Sequence, residues 1–474
     1  MAALKSAVLP GWGQWGQGRH RTGMLFFRGL VVIATAVLAL AAAGPTRIAE
    51  MLVRPPVFLG LIVGYLVALG FWLFAIWDAW SEGGRRGTST GAAIIMIVVA
   101  VPFLVFGWNY LVRPYQTLTR VFGGNAVEAS PTTSPSAADG SVQPGTDPGT
   151  TPTTAPETTT TTVADPFAGK DRVNVLVLGG DAGPGRGGIR TDTMILASVG
   201  IEGGDVALFG FPRGLSGLTF PDGERFTAYQ GIMNEVYPYG IDNPEKFPGS
   251  NPGAEAVKSM VEGLTGVAVD YYVMVNLEAF VEVVDALGGV TMYIPNTIID
   301  EEYPKEDGTT VSIRIDQGVQ ELTGTEALAY VRSRRQSDDY SRMSRQRCFL
   351  TAVAAQADVT SLIRGLPRLL TTVEQNVLTD IPLNQLPKFL ELVGKVEATE
   401  AITLTFGPPD WISGYTAARF PIPDPAKIGP AVALITSDPD QARLTYGLEP
   451  AGEVCGYGDD PTSAPTTTTT TTGS

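Results

Sequence analysis

Three apolar runs dominate the first quarter of the chain: Met24–Ala43, Val57–Trp77 and Ala92–Val112. Each is about 20 residues long, the length a helix needs to cross a hydrocarbon core. The first holds Arg28 near its end, where the side chain can snorkel to the headgroups. The other two carry no charge before Asp78 and Arg113. The pattern predicts three transmembrane helices rather than a cleaved signal peptide. Past about Gly124 the large apolar positions vanish, and "TTSPSAADGSVQPGTDPGTTPTTAPETTTTT" offers too little surface to offset the entropy of ordering, so a flexible tether is expected up to Ala164.

A different rhythm begins near residue 172. "RVNVLVLG", "DTMILASVG" and "DVALFGFP" are short β-branched runs, as buried strands are. "PGAEAVKSMVEGLTG" repeats apolar residues at helical spacing (Ala254, Val257, Val261, Leu264) and stops at Gly266. "VDYYVMVN" returns to strand, "LEAFVEVVDALGG" to a helix closed by a glycine pair, and "VTMYIP" to strand. "TGTE" (Thr323–Glu326) is a capping box that opens a short helix. "DYSRMSRQRCFLTAVAAQADVTSLI" predicts a long helix with Met343, Leu350, Ala354 and Ala357 as its apolar stripe, and Arg342, Arg345 and Gln346 on a neighbouring face. Alternating strands and helices predict a layered α/β/α domain with a mixed central sheet, preceded by the three membrane helices.

Charge sharpens this outline. Lys5, Arg19, Arg21 and Arg28 lie before or in the first span, and Arg85 and Arg86 lie between the second and third. By the positive-inside rule both segments face the cytoplasm, and everything after about residue 113 lies outside. The chain carries a formal charge of −15, so no nucleic-acid partner is expected of it. In that background "YVRSRRQSDDYSRMSRQR" (Tyr330–Arg347) places six arginines against two aspartates. The lone histidine, His20, precedes the first span, which excludes an external Ser-His-Asp or Cys-His centre and His-ligated zinc. Chemistry outside would rest on carboxylates, arginines, hydroxyls or a hard metal.

"GPGRGG" (Gly183–Gly188) fits a dinucleotide fingerprint in spelling alone, because the residues after it are strand-like where that site requires a helix. Asp181 follows one predicted strand and Asp192 precedes the next; if those strands are neighbours, both carboxylates reach one sheet edge and could share Mg²⁺, the plain alternative being two turn-forming aspartates. Arg332 and Arg334 share a side if their segment is extended, with Arg342 and Arg345 on the helix that follows. Arg190 and Arg213 could converge on the same edge. Planar forks of donors suit phosphate or pyrophosphate oxygens; a solvated basic face is the alternative.

Taken in order, "NVLVLGGDAGPGRGGIRTDTMILASV", "FPRGL", "GIMNEVYPYG", "VDYYVMVNLEAFVEVVDALGGV", "LTGTEALAYVRSR" and "SDDYSRMSRQRC" resemble the signature blocks of the LytR-CpsA-Psr family. The resemblance covers about residues 172–357. It implies a membrane-anchored, Mg²⁺-dependent phosphotransferase that moves a glycopolymer from a polyprenyl pyrophosphate carrier to a peptidoglycan hydroxyl. Carried over position by position, it implies Asp181 and Asp192 as metal-associated acids. Arg190, Arg213, Arg332, Arg334, Asp339 and Arg342 fall on its catalytic positions, with Arg345 and Gln346 as substrate contacts. A polyprenyl pyrophosphate phosphatase, or a non-catalytic wall-polymer binding or regulatory protein, are the alternative readings. The helices at Pro252–Leu264 and Leu277–Leu287 could line a groove for the prenyl chain, although ordinary core packing accounts for most such side chains.

The expected organisation is a cytoplasmic segment (1–23), the three-helix anchor (24–112), a disordered linker (113–164), the catalytic domain (165–357), a C-terminal extension packed on it (358–460) and a disordered tail (461–474). Cys348 and Cys455 are the only cysteines. Outside the membrane they are expected to be joined, clamping the extension to the arginine helix.

Overall fold

The structure, a computed structural model, describes residues 2–42, 51, 54–81, 89–123, 167–180, 189–304, 309–333, 339–356 and 377–456. Two short helices, α1 (Ala2–Val8) and α2 (Trp12–Gly16), precede α3 (His20–Ala42), α4 (Pro55–Ser81) and α5 (Ser89–Gly107). Three helical stretches, His20–Leu40, Pro56–Ser81 and Ala93–Thr119, are long and apolar enough to cross a membrane. Asp78, the acid near the end of α4, pairs with Arg19 at 2.8 Å and accepts from Gln14 at 3.0 Å, so α2 and the start of α3 fold onto that end. The expected end of the anchor at 112 is corrected. A π-helical turn, Trp108–Val112, carries α5 into α6 (Arg113–Gly123), whose amphipathic spacing sustains the helix for 11 further residues.

The central sheet runs β10-β3-β2-β1-β4-β9. Its strands are β1 (Arg172–Gly180), β2 (Thr191–Gly200), β3 (Val206–Gly210), β4 (Tyr271–Val275), β9 (Val377–Thr379) and β10 (Ile402–Thr405). β1 pairs antiparallel with β2 and parallel with β4, and β3 pairs parallel with β10, so the sheet is mixed. Strands covered on both faces read as continuous apolar runs, the pattern of β1 and β2. Leu176, Leu178, Met194, Leu196, Tyr272 and Met274 point to one face. There they meet α8 (Pro252–Thr265) and, from the C-terminal region, α13 (Pro425–Ser437). α8 is capped by Asn251, which accepts from the Ala254 amide, and ends where Gly266 turns left-handed at φ 73°.

The other face carries two groups. At one end Val173, Ile381, Phe389 and Leu392 form a small core under α12 (Leu386–Val393). At the other stand α9 (Leu277–Leu287), α10 (Gly324–Arg332) and α11 (Asp339–Gln356), with the antiparallel pair β5 (Val290–Ile294) and β8 (Gly318–Leu322), between which the chain forms the hairpin β6 (Ile298–Pro304) with β7 (Thr310–Ile315). Thr323 and Glu326 complete the expected capping box of α10.

Three expectations change. The region after residue 357 is not an addition to a finished domain, because β9 and β10 form the two edges of the central sheet. Their three and four residues are too few to show a periodicity. The buried face of α11 is Arg342, Met343, Gln346, Arg347, Phe349 and Ala352, whereas Leu350 is half-buried, Ala354 is exposed and Ala357 lies outside the described residues. α8 belongs to the main core, and none of its residues lines the cavity between the sheet and α9–α11. Lys258 of α8 meets Asp380, next to β9, at 2.8 Å, and Asp380 also accepts from the Tyr272 amide.

Cys348 and Cys455 are bonded, their Cα atoms 5.5 Å apart and 107 residues apart in sequence. The bond ties α11 to α15 (Ala451–Cys455), the last described helix. Closing so long a loop removes chain entropy from the unfolded state. Cys348→Ser or Cys455→Ser should therefore lower the unfolding free energy by roughly 4–5 kcal/mol in the chain-entropy picture. Denaturant titration measures this, and thiol labelling of the untreated protein should find no reactive cysteine until a reductant is added.

Candidate active site

β1 ends where β2 begins, Gly180 opposite Thr191, so Asp192 stands at the rim of the sheet. β3 ends at the same rim, since Gly210 pairs with Ile195 and the Phe211 amide continues to the Met194 carbonyl. Arg213 follows three residues later. Its Nη1 donates to Asp192 Oδ1 at 3.0 Å, and its Nε lies 3.4 Å from Asp339 Oδ1 at the start of α11. One turn on, Arg342 reaches the same Asp339 oxygen at 2.9 Å and the Asp192 carbonyl at 3.3 Å. Acid, arginine, acid and arginine thus form one connected row. Burial alone would raise the Asp192 carboxyl, but the Arg213 guanidinium, with Asn234 and Arg342, outweighs it and holds the group below the usual carboxylate range. Arg213 is shifted upward, where the carboxylates of Asp192 and Asp339 overcome the burial penalty.

Arg332 is the last residue of α10, not part of an extended segment; its Nη1 lies 3.4 Å from the Tyr303 hydroxyl and its guanidinium 5.9 Å above that ring. Arg345 and Gln346 spend their donors on backbone and not on the charge row. Arg345 donates to the carbonyls of Tyr330 (2.8 Å) and Ser333, and Gln346 to that of Val331 (3.2 Å). These are carbonyls a helix leaves unpaired at its C-terminus, so the pair fixes where α10 stops and where Arg332 projects. Arg190 is exposed, immediately before β2. Asp181 and Arg334 lie outside the described residues.

Several residues in and around the site are not singled out by the sequence reading. Asn234 donates to Asp192 Oδ1 at 3.2 Å. Asp300 on β6, buried, accepts from Ser333 at 3.0 Å and so pins the β6–β7 hairpin to the end of α10. Arg347 points away, buried, to the Thr405 hydroxyl of β10, and burial pulls its pKa down to about 10. In sequence these residues look like a surface acid, a turn asparagine and one more arginine in a basic run.

A cavity of about 720 Å³ opens on this rim, between the sheet and α9–α11. Its lining changes character along α11, from Arg342 through Gln346 to Leu350 and Val353. At 1.5 Å per residue that is about 16 Å from charge to hydrocarbon. Asp192, Arg332, Asp300 and Glu302 join the charged end; Val177, Ile195, Phe280, Val283 and Leu287 make the apolar walls. Gly179 forms part of the floor, where a Cβ would come within 2.9 Å of Thr193.

Because the folded pKa of Asp192 is depressed, the stability its ionisation contributes is present above the unfolded carboxylate pKa and is lost as pH falls through the folded value. The stability gap between the wild type and Asp192→Asn, read by urea titration, should be open at pH 7 and should close as the pH falls below the ordinary aspartate value of about 3.8.

Residues 147–420 match the LytR_cpsA_psr family. Among characterised relatives, the chain is 28% identical over 224 residues to the polyisoprenyl-teichoic acid–peptidoglycan teichoic acid transferase TagU of Halalkalibacterium halodurans, covering 47% of this chain and 65% of that one. It is 27% identical over 243 residues to TagT of Bacillus subtilis, with 50% and 69% covered. Among solved structures, B. subtilis TagV superposes with a TM-score of 0.42 at 19% identity over 60% of this chain and 98% of that one. TagT bound to LIIa-WTA superposes with a TM-score of 0.41 at 22% identity, with 60% and 93% covered. The family match spans more than half of the sequence, including the sheet and the charge row, and the chain belongs to the LytR_cpsA_psr family.

Proposed function

We propose that this protein is a membrane-anchored phosphotransferase, its folded domain outside the cell, that moves a glycopolymer from a polyprenyl pyrophosphate carrier to a peptidoglycan hydroxyl. The observation that carries the reading is the graded cavity, apolar at one end and lined by Asp192, Arg332 and Arg342 at the other. A lipid pyrophosphate has the same polarity along its length. Prenyl units replace water against Phe280, Val283 and Leu287, while guanidiniums meet phosphate oxygens through charge-assisted hydrogen bonds. The three long apolar helices hold the domain where such a lipid resides, and the Lys/Arg bias of the segments before the first span and between the second and third puts those segments inside and the domain outside. The relatives named as teichoic acid transferases support the same reaction class.

In the transfer, the acceptor oxygen attacks the phosphorus borne by the polymer. The bond from that phosphorus to the bridging oxygen breaks, and polyprenyl phosphate leaves. The hydroxyl proton passes to a carboxylate of the row, Asp192 or Asp339. Phosphoryl transfer asks for alignment and charge neutralisation more than covalent chemistry, which arginines supply without a histidine. Both hydrogen bonds to Asp192 fall on Oδ1, and among the described residues Oδ2 accepts none, so the donor set fits Mg²⁺ held by a carboxylate together with substrate phosphate and water. Asp192 would hold the ion, with Asp181 as the second acid implied by the sequence; bound there, it would neutralise charge on the phosphates.

The test is reconstitution of the full chain in liposomes with a lipid-linked pyrophosphoryl oligosaccharide and peptidoglycan. A phosphodiester-linked adduct and an equal amount of polyprenyl phosphate are expected. Release of free oligosaccharide phosphate in place of the adduct would show a phosphatase. Arg332→Ala should lower kcat/KM ten- to a hundredfold with the melting temperature unchanged, since one charge-assisted contact is worth roughly 1.5–3 kcal/mol. Val283→Asp, which puts a charge on the apolar wall, should abolish binding of the lipid-linked substrate, measured by co-sedimentation, while leaving binding of a water-soluble pyrophosphate analogue intact.

A further inference from the structure

Asn234 sits in a single 3-10 turn, Met233–Glu235, and is 6% exposed. That turn is stitched to the Arg213 segment: the Asn234 amide donates to the Arg213 carbonyl (3.1 Å) and the Met233 amide to that of Leu215 (2.8 Å). The Gln230 amide donates to the Glu235 carboxylate at 2.8 Å, closing the loop behind it. Asn234 is therefore fixed by backbone to the same segment that carries Arg213, and both side chains donate to one oxygen of Asp192.

The amide group can be oriented only one way, because turning it over would set its oxygen against an ionised carboxylate. In that orientation Asn234 Oδ1 is buried and accepts no hydrogen bond among the described residues. A buried acceptor left unpaired costs about 1–3 kcal/mol.

The two donors to Asp192 differ in what competes for them. Arg213 is already shared with Asp339, and a phosphate group draws its N–H groups away from both acids. A neutral amide attracts phosphate far less. Resting on the transferase reading above, we infer that Asn234 is a positioning residue: it keeps Asp192 Oδ1 engaged and Oδ2 presented to the cation and the phosphate while Arg213 turns to the substrate.

The test uses the full chain in liposomes and two variants. Asn234→Ala removes the donor, and Asn234→Leu keeps most of the volume with neither a donor nor a charge, which covers the case in which the alanine variant fails to fold. With MgCl₂ alone, calorimetry should show affinity three- to tenfold weaker than wild type in both. With substrate, kcat should fall about tenfold while KM for the lipid-linked donor stays within twofold. The losses from Asn234→Ala and Asp192→Asn should be strongly non-additive, as for residues acting through one another. Folded variants with wild-type Mg²⁺ affinity and kcat, additive losses, or a wild-type chain with no Mg²⁺ response would each overturn the inference. A wild-type chain that binds Mg²⁺ but transfers nothing would overturn the transferase reading and leave the metal arm to decide on Asn234.

Discussion

One guanidinium lies between two carboxylates, and the geometry of the rim follows from it. Arg213 touches Asp192 on β2 and Asp339 on α11, elements separated by more than a hundred residues of chain. It thereby locks the start of a helix to the rim of the sheet. Burial does not neutralise Asp192, which Arg213 holds below the usual carboxylate range, and Arg342 adds a second contact to Asp339 from within α11. Within the row, Arg213 and Arg342 are occupied by the row's own carboxylates. An incoming phosphate has to exchange for those partners, which favours a ligand carrying several oxygens over one carrying a single charge.

α11 shows how few residues serve how many ends. Within its 18 residues it supplies Asp339 and Arg342 to the charge row, Arg345 and Gln346 to the end of α10, Cys348 to the disulfide, and Leu350 and Val353 to the cavity wall. Arg347 faces the opposite side, to the edge strand β10. A rotation of this helix would disturb all of these together, which is why its docking is fixed by a covalent bond as well as by packing.

Elements whose own residues announce them were legible in the sequence. β1 to β5, the helices at Pro252 and Leu277 with their glycine stops, and the capping box at Thr323 all stand where the pattern puts them. Of the arginine and aspartate set, Asp192, Arg213, Asp339 and Arg342 stand together in the charge row, as residue type alone could suggest without geometry. What could not be read depends on long-range register. β9 and β10 are too short to show a period, and the buried face of α11 contains arginines and a glutamine, so the apolar rule picks the wrong stripe. Arg345 and Gln346 read like the other members of the run; only the position of the α10 carbonyls shows that they act on the fold. Asn234 and Asp300 have common side chains in common places, and only their partners distinguish them.

The two edges of the central sheet come from residues 377–379 and 402–405, whereas its four inner strands are complete by Val275. A chain made from its N-terminus therefore finishes the middle of the sheet about a hundred residues before either edge. At 5–20 residues per second the outer sides of β3 and β4 stay bare for on the order of ten seconds. Bare strands of this kind recruit other chains. The interval before β9 and β10 arrive is therefore the stage at which this sheet is most exposed to pairing with another chain.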